Sequence, residues 1–418
     1  MTILIFLIVL GVLVFVHELG HFLTAKKAGV RVDEFGFGYP PRALIIGRKW
    51  DTLFSLNWIP FGGFVKIFGE NYEEVGEDSP SSKVEKSTDK ILLNFSSCSV
   101  QSTSQGIFQS FDSENLELNI LDSQSSKGLN FTQVSKKWQA GILASGVIFN
   151  IIFAWLLFSL GFMIGLPTPV ENNFGGVVRN PALTIINVIP GSPAKNVGLK
   201  SGDKIKEISF PNGETLKDFN PENISDFINK SSGEVLMKVD RGGKILNFKI
   251  APETVVEENP SNSSEQARKI IGISMDMIGT LSLPVHKAFY EGGRTTYEIT
   301  YLTVAGIAGL IKDAVRGKAD ISQVAGPVGI IGLVGDASRL GFAYLLTFTA
   351  LISINLAIIN LIPFPALDGG RILFVAIEGI TKRKINPKVA STLNTIGFAL
   401  LIAIMLIVTY RDILKLFT

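Results

Sequence analysis

Hydrophobic side chains are concentrated in four long runs along the chain, and polar stretches separate these runs. The runs cover residues 2–16, 140–166, 342–362 and 393–410. A helix needs about 20 predominantly apolar residues to cross the hydrocarbon layer of a membrane. The pattern therefore predicts four transmembrane segments, the first extended by the residues that follow Val16: 1–28, 138–167, 342–380 and 390–418.

Alternation of apolar and polar residues predicts a β-hairpin shortly after the first segment. Apolar residues alternate with polar ones over 54–58, a Pro-Phe-Gly-Gly sequence follows at 60–63, and residues 64–67 are mainly apolar again. This is the pattern of two strands joined by a turn. We assign residues 29–70 to a membrane-associated β-hairpin region on the cytoplasmic side.

Residues 71–137 have a different composition from the rest of the chain. They are rich in serine, acids and lysine, and their hydrophobic residues are sparse. A segment of this kind buries too little apolar surface to offset the entropy lost on folding. We interpret most of it as a flexible insert, and a small domain is the alternative.

The stretch between the second and third apolar runs has the pattern of a separate α+β domain, which we place at residues 170–275. It begins with a strand at 185–189, a turn at 190–194 and another strand from Lys204. A hairpin follows at 235–250 around an Arg-Gly-Gly-Lys turn.

Two less regular stretches complete the prediction. Residues 253–270 have the composition of a tether or a long loop, before a last strand at 270–273. Residues 286–316 carry apolar positions at helical spacing, so we expect a helix along the outer membrane surface, within an amphipathic helical connection at 276–341. The predicted fold is a mainly α-helical polytopic membrane protein with a membrane-associated β-hairpin and one inserted domain.

Composition and charge exclude several classes of protein. The chain has 418 residues, 46% of them hydrophobic, and a formal net charge of +2. No arginine-rich helix or finger spacing accompanies that small charge, so nucleic acid is not an implied partner. Cys98 is the only cysteine, which excludes an intrachain disulfide and a cysteine-based metal site.

Basic residues indicate the orientation in the membrane. Lysines and arginines flank the loop after the first segment and fill the loop before the fourth, which predicts that both loops are cytoplasmic. Both termini and the domain at 170–275 would then lie outside the cytoplasm. No Lys or Arg precedes Lys26 and no cleavage pattern follows, so we expect the first helix to be retained.

The strongest chemical signal lies at the end of the first apolar run, where the sequence is His17-Glu18-Leu19-Gly20-His21. A helix turns once in 3.6 residues, so both imidazoles lie on one face, where they can bind a metal beside a carboxylate base. Coincidence or an ordinary core helix would also explain the pattern. An ionisable group in hydrocarbon is costly and is therefore functional by default, so we interpret the motif as zinc hydrolase chemistry.

A third metal ligand is expected near the end of the third run. Pro363 and Pro365 break the helix there, and Asp368 is followed by two glycines. Broken backbone at membrane depth is tolerated only where protein buries it or water reaches it. A hydrolytic zinc keeps three protein ligands and leaves one position for water, so His17, His21 and Asp368 complete the count. The alternative is that Asp-Gly-Gly simply turns the chain.

Taken together, these segments resemble the site-2 proteases (family M50), and among them the bacterial intramembrane zinc metalloproteases of the RseP type. The resemblance is carried by the histidine motif at 17–21, the sequence at 58–66, the Gly-Pro-Val-Gly at 326–329 and the segment 355–371. The order of four spans with an intervening outer domain agrees as well. The insert at 71–137 is not typical of the family.

The resemblance implies roles for individual residues. It implies that His17, His21 and Asp368 bind one Zn2+ and that Glu18 is the general base. It also implies that substrate is engaged by two asparagines and by the hairpin turn, which together comprise Asn355, Asn360, Gly62, Gly63 and Phe64. The domain at 170–275 resembles a single PDZ domain, whereas the best-known enterobacterial member has two.

The function expected from these features is zinc-dependent cleavage of transmembrane segments in single-span membrane proteins, such as anti-sigma factors or signal-peptide remnants. Expected partners are these substrates, the lipid bilayer and a peptide C-terminus at the PDZ-like domain, and the expected location is the bacterial inner membrane. The alternatives are a catalytically inactive PDZ scaffold and a metal-handling membrane protein. His286 and Cys98 receive no role.

Overall fold

The computed structural model describes most of the chain, namely residues 1–70, 128–171, 174–216, 218–231, 233–258, 265–318 and 326–417. Most of the predicted insert at 71–137, including Cys98, lies outside these ranges. The helices and strands in chain order are α1 (Thr2–Lys27), β1 (Val32–Lys49), β2 (Thr52–Ile67), α2 (Lys136–Ile164), β3 (Leu166–Pro169), β4 (Val178–Val188), α3 (Pro193–Asn196), β5 (Lys204–Ser209), α4 (Pro221–Asn229), β6 (Val235–Arg241), β7 (Lys244–Ile250), β8 (Glu253–Glu258), β9 (Glu265–Ile270), β10 (Ile273–Leu281), α5 (Val285–Val315), α6 (Pro327–Leu340), α7 (Phe342–Leu361), α8 (Asp368–Thr381) and α9 (Pro387–Phe417).

Four helices in the described ranges are long and apolar enough to cross a membrane, and they are α1, α2, α7 and α9. The prediction of four helices with the length and composition of membrane spans is therefore confirmed. The helix α2 lies at the centre of this group, because it packs against α1, α5, α7 and α8. A cluster of buried residues joins α2 to α7, and it comprises Ala154, Leu157, Phe158, Leu346, Ala350, Ile354 and Ile358.

Close approach of α1 to α2 depends on Gly20. A Cβ atom at this position would lie 2.5 Å from the carbonyl oxygen of Ser145. Small residues allow membrane helices to pack closely where lipid offers no hydrophobic driving force for their association. Gly20 lies within the histidine motif, so this contact brings both histidines against α2.

The helix predicted at residues 286–316 forms as α5, but its position differs from the prediction. It runs antiparallel to α2 and packs against its side, where Gly292 meets Ser159 and Gly293 meets Trp155. It also contacts α7. The helix therefore lies along two membrane-crossing helices instead of along the outer membrane surface, because its glycines give it a close-packing face that its hydrophobic spacing alone did not reveal.

The region after α1 forms a sheet that is more complex than the predicted hairpin. Residues 32–37 of β1 pair with residues 63–67 of β2 on one side and with residues 53–56 of β2 on the other. The two predicted strands therefore do not pair with each other, because β1 lies between them. The tight turn between β1 and β2 uses Trp50 and Asp51 at φ of 53° and 55°, and it carries no glycine or asparagine that would have marked it as a turn.

The last part of the predicted insert, residues 128–137, packs against the elements around the histidine motif. Leu129 forms a bridge with Val30. Phe131 and Val134 are buried in a cluster with α1 and β1. The insert boundary is therefore earlier than predicted, since these two apolar residues form part of the core that supports the histidine motif.

The domain between α2 and α5 contains a six-stranded sheet in the order β3-β10-β4-β5-β6-β7. The predicted hairpin at 235–250 is confirmed as β6 and β7. Two predictions need correction. The segment 253–270 contains the paired strands β8 and β9, and the sheet extends from Leu166 to Leu281, beyond the predicted limits of 170 and 275. The strands β3 and β10 are the first and the last of the sheet in chain order. They pair with each other, which closes the domain next to the membrane helices.

The sheet domain contains a buried ion pair that fixes one of its turns. Asp203 is 1% exposed and accepts hydrogen bonds from Arg241 Nε at 2.6 Å and Nη2 at 2.7 Å. These bonds raise the pKa of Arg241 above its usual value. The bidentate geometry pairs the charge of this buried carboxylate, whose Oδ2 also accepts from the Lys200 N–H at 3.0 Å.

The predicted break after the third membrane helix is present between α7 and α8. Ala366 adopts a left-handed backbone at φ of 74°, and its N–H donates to Asn394 Oδ1 of α9 at 3.2 Å. Gly397 of α9 lies against Pro365, where a Cβ atom would be 2.6 Å from the proline carbonyl oxygen. The last helix therefore holds the loop that leads to Asp368.

Candidate metal centre

The two histidines of the motif lie on the buried face of α1. His17 is 6% exposed and His21 is 7% exposed. Their Nε2 atoms are 3.2 Å apart, and their rings meet edge to face at a centroid distance of 4.8 Å. The helical spacing therefore brings both imidazole nitrogens to one point, as the sequence predicts.

Asp368 reaches the same point from the other end of the chain. Its Oδ2 atom is 3.0 Å from His17 Nε2 and 3.2 Å from His21 Nε2. Asp368 is the first residue of α8, and the two glycines that follow it lie against the carbonyl groups of Leu361, Ile362 and Phe364. A side chain at either glycine would push α8 away from the end of α7, so the glycine pair is needed to place the carboxylate.

These three atoms have the spacing that a tetrahedral zinc requires. Ligands at about 2.0–2.1 Å from zinc are about 3.3 Å from one another, and the three observed separations are 3.0, 3.2 and 3.2 Å. Nitrogen and carboxylate donors are also the zinc ligands of hydrolytic sites. The three residues could therefore supply three of the four positions and leave one for water.

Gly146 of α2 leaves the space that a metal at this point needs. A Cβ atom there would lie 2.5 Å from His21 Nε2 and 2.8 Å from His17 Nε2. Any side chain at this position would fill the region where the ligand atoms meet. The donor set and this missing side chain together fit a bound metal ion.

The other ring nitrogens of the histidines are also in contact with α2. His21 Nδ1 is 2.8 Å from the carbonyl oxygen of Ile142, and His17 Nδ1 is 3.2 Å from Asn150 Nδ2. Histidines that bind metals usually donate their second N–H to a fixed partner, which orients the ring. The main-chain carbonyl of Ile142 is such a partner for His21.

The sequence analysis missed Gly146 and Asn150. A signal was available, because Asn150 is a polar residue within the second apolar run and polar groups at membrane depth are functional by default. Gly146 precedes it by four residues and therefore lies on the same helix face. No short motif connects them to the histidines, so only the fold shows that the contact exists.

Glu18 lies beside the ligand atoms on a small cavity of about 150 Å3. The cavity is lined by residues from α1, β2, α8 and the loop after β2, which are Glu18, His21, Gly63, Phe64, Val65, Ile67, Glu70, Asp368 and Arg371. Glu70 forms an ion pair with Arg371 at its rim. The cavity therefore brings a carboxylate, the candidate metal ligands and a β-strand to one place.

Two of the three predicted turn residues reach this cavity. Gly63 and Phe64 line it, and a Cβ atom at Gly63 would be 3.6 Å from Glu18 Cγ. Gly62 was predicted to lie in a turn, but it lies within β2, where it adopts a φ of 85°. The recorded strand partners of residues 63–67 are residues 32–37 of β1, on one side of the strand.

The two predicted substrate-binding asparagines lie on α7 and are less closely connected to the cavity. Asn355 is exposed and Asn360 is half-buried. Within the described ranges neither side chain has a recorded hydrogen-bond partner, and neither lines the cavity. His286 is exposed at the start of α5, away from the metal centre.

Comparison with known proteins identifies the family of this chain. The family model for peptidase family M50 matches residues 5–404. The protein from Bacillus subtilis (strain 168) named regulator of sigma-W protease RasP is 30% identical, over 100% of this chain and 99% of its own length. Zinc metalloproteases named RasP from Oceanobacillus iheyensis and Geobacillus kaustophilus are each 29% identical, over 100% and 99% of this chain and 99% and 97% of their own lengths. With a match that spans nearly the whole chain, this protein belongs to peptidase family M50, the family of its zinc metalloprotease relatives.

Proposed function

We propose that this protein is an intramembrane zinc endopeptidase, in which His17, His21 and Asp368 hold one Zn2+ and Glu18 is the general base. The observation that carries the proposal is the convergence of three ligand atoms beside Glu18. Glu18 and the two histidines lie on a helix that is long and apolar enough to cross a membrane. Membership of a peptidase family supports the reaction class. A scaffold or a metal-handling protein would have no need for the carboxylate next to the ligands.

Each residue contributes a separate part of the chemistry. The zinc that His17, His21 and Asp368 would hold would supply Lewis-acid chemistry, lowering the pKa of water at the site to about 7 and polarising a carbonyl group. Glu18 accepts the proton from the attacking water and then donates it to the leaving amine. The cavity that Glu18 lines gives water and a peptide bond access to this carboxylate.

A transmembrane substrate must unwind before it can be cleaved, because its amides are hydrogen-bonded within its own helix. The strand at 63–67 is bonded to β1 on one side and borders the cavity with Gly63 and Phe64. It can therefore receive an extended substrate segment by β-strand addition. Gly62 supplies a positive φ within β2 next to this strand segment, and Asn355 and Asn360 would bond to substrate backbone at the end of α7.

The substrates we propose are single-span membrane proteins of the anti-sigma factor or signal-peptide remnant type. The name of the Bacillus subtilis relative describes a regulator of sigma-W. That name supports a regulatory substrate for this chain too. We place the protein in the bacterial inner membrane as a multi-pass protein. Basic residues are concentrated in the loop after the first span and in the loop before the fourth, which favours a cytoplasmic position for both loops. Both termini and the sheet domain would then lie outside the cytoplasm.

For the sheet domain we propose a PDZ-like role, either as a size filter or as a site that captures a peptide C-terminus. Deleting residues 170–277 tests the filter, because the flanking Pro169 and Ile278 are directly opposite each other in the sheet and can be joined. The truncated protein should cleave intact substrates with bulky outer domains that the full chain rejects. Unchanged selectivity, with the zinc content retained, would exclude a filter.

The central test uses the full-length protein in detergent with a panel of single-span substrates and mass mapping of the products. We expect cleavage within the transmembrane segment, its loss on chelation and its recovery with zinc. Glu18→Gln should keep the zinc and lose cleavage. If Glu18→Gln cleaves at the normal rate, or if the chelator has no effect, the protein is not a zinc peptidase of this kind and one of the two alternatives applies.

A further inference from the structure

Asn150 has an unusual environment for an amide side chain. It is 0% exposed and lies on α2, with Nδ2 3.2 Å from His17 Nδ1. Its Oδ1 atom is buried and has no hydrogen-bond partner among the described residues. A buried acceptor without a partner is costly, because it has given up its hydrogen bonds to water without replacing them, so this oxygen requires an explanation.

The explanation comes from the proton on His17. A histidine that binds metal through Nε2 must offer its lone pair there, so the proton lies on Nδ1 and Nδ1 becomes a donor. An Nδ1–H group facing Nδ2 places two donors against each other. A half-turn of the amide exchanges Oδ1 and Nδ2 and gives the His17 N–H the acceptor that it needs.

We propose that Asn150 is a positioning residue that selects the His17 tautomer able to bind metal, with Oδ1 accepting from His17 Nδ1–H. The inference rests on the proposed zinc site. His21 obtains the same assistance from the fixed carbonyl of Ile142, whereas His17 depends on a side chain that can turn. The backbone beneath that side chain is held in place, because Ser353 Oγ donates to the Asn150 carbonyl oxygen at 2.8 Å.

The first test compares the zinc affinity of full-length variants by chelator competition. Asn150→Leu removes the acceptor at similar volume and should weaken zinc binding by about 10- to 100-fold, the usual cost of losing such a partner. Asn150→Asp offers only acceptors and should bind zinc within about threefold of the unchanged protein. The control is Ser159→Ala, which alters another buried polar residue of α2 that bonds within its own helix and should leave the affinity unchanged.

The second test observes the tautomer directly. The chain has three histidines, so a 15N-histidine spectrum contains few signals, and His286→Ala leaves only those of the metal centre. In zinc-loaded protein we expect a protonated Nδ1 and a metal-bound Nε2 for both residues. Asn150→Leu should shift or broaden the Nδ1–H signal of one histidine and leave the other in place.

The outcomes separate this inference from the proposed function. If His17→Ala and Asp368→Asn no longer bind stoichiometric zinc, the proposed metal centre is supported. In that case, an Asn150→Leu protein that binds zinc as tightly as the unchanged chain overturns the role of Asn150 alone. The role of Asn150 is also overturned if Asn150→Asp binds zinc as weakly as Asn150→Leu. This outcome counts when thermal unfolding measured in the presence of chelator shows that both variants are folded. Zinc binding that is unaffected by His17→Ala removes the proposed function itself.

Discussion

The two sides of the metal centre are built differently. On the helical side, α1 and α2 are so close that Gly20 and Gly146 have no room for a Cβ atom. On the strand side, β2 and the start of α8 enclose a cavity of about 150 Å3. Under the proposed function, rigid packing would position the metal ligands and the open space would admit a substrate. Mutations on the two sides should therefore affect different quantities, namely metal binding on the helical side and substrate turnover on the strand side.

The largest effect is expected from Gly146→Ala on the helical side. The new methyl group would lie between the Nε2 atoms of His17 and His21. We expect zinc content to be lost and cleavage to fall by about 100-fold or more, since a displacement of about 1 Å at a catalytic site costs that much. Zinc can be measured by elemental analysis beside the cleavage assay.

Gly141→Ala is the matched control for this variant, because Gly141 lies on the same helix and nothing is within 4 Å of its Cβ position. It should keep both zinc and activity. A Gly146→Ala protein with full zinc occupancy would show that the helical side has more freedom than its packing suggests.

On the strand side, Gly63→Ala should reduce turnover and leave zinc binding intact. The added Cβ would be 3.0 Å from the carbonyl oxygen of Gly36 and 3.6 Å from Glu18 Cγ, which narrows the entrance for substrate. We expect a loss of about tenfold in kcat/KM, equivalent to about 1.4 kcal/mol. Gly47→Ala, at an open position of β1, should have no effect. An equal loss of kcat/KM in both variants would indicate that the substitutions destabilise the sheet and do not act on the entrance for substrate.

A smaller effect is expected from the ion pair between Glu70 and Arg371, which joins the end of the strand side to α8. Glu70→Gln and Arg371→Gln should each lower cleavage by about fivefold at constant zinc content. The double variant should lose little more, because the two side chains act through one contact, with a coupling energy of about 1 kcal/mol in the double-mutant cycle. If the two single losses are strictly additive in free energy, the contact between the Glu70 and Arg371 side chains has no role in turnover.

The smallest effect should come from Asn355→Ala. The side chain is exposed and has no recorded partner in the described ranges, so its removal should not alter folding or zinc content. Loss of one hydrogen bond to substrate should raise KM by about two- to fivefold. An increase in kcat with unchanged KM would contradict a role in substrate binding.

The sequence predicted those features that depend on neighbouring residues. The four apolar helices follow from run length, and the strand pair at 235–250 follows from alternation around a Gly-Gly turn. The histidine motif predicted two ligand atoms at one point because helical spacing is local. Even Asp368 was identified from a local signal, the break in the helix that precedes it. Its distance from the histidines could not be predicted in this way.

Features that depend on approach between distant segments were not predictable in this way. His17 and Asn150 are 133 positions apart, and Glu70 and Arg371 are 301 apart. Local periodicity contains no information on such pairs. The strand β1 was missed for a related reason, because its glycines and prolines weaken the strand pattern and that pattern does not show the partners that stabilise it, which include two segments of β2 and the helix α1.

The distance in sequence between the metal ligands has a consequence for biosynthesis. His17 and Asp368 are 351 positions apart, so a ribosome must translate the whole intervening segment before the proposed ligand set exists. A polypeptide that ends before Asp368 holds only the imidazole pair, and under the proposed function it would be inert toward the membrane proteins that are inserted beside it.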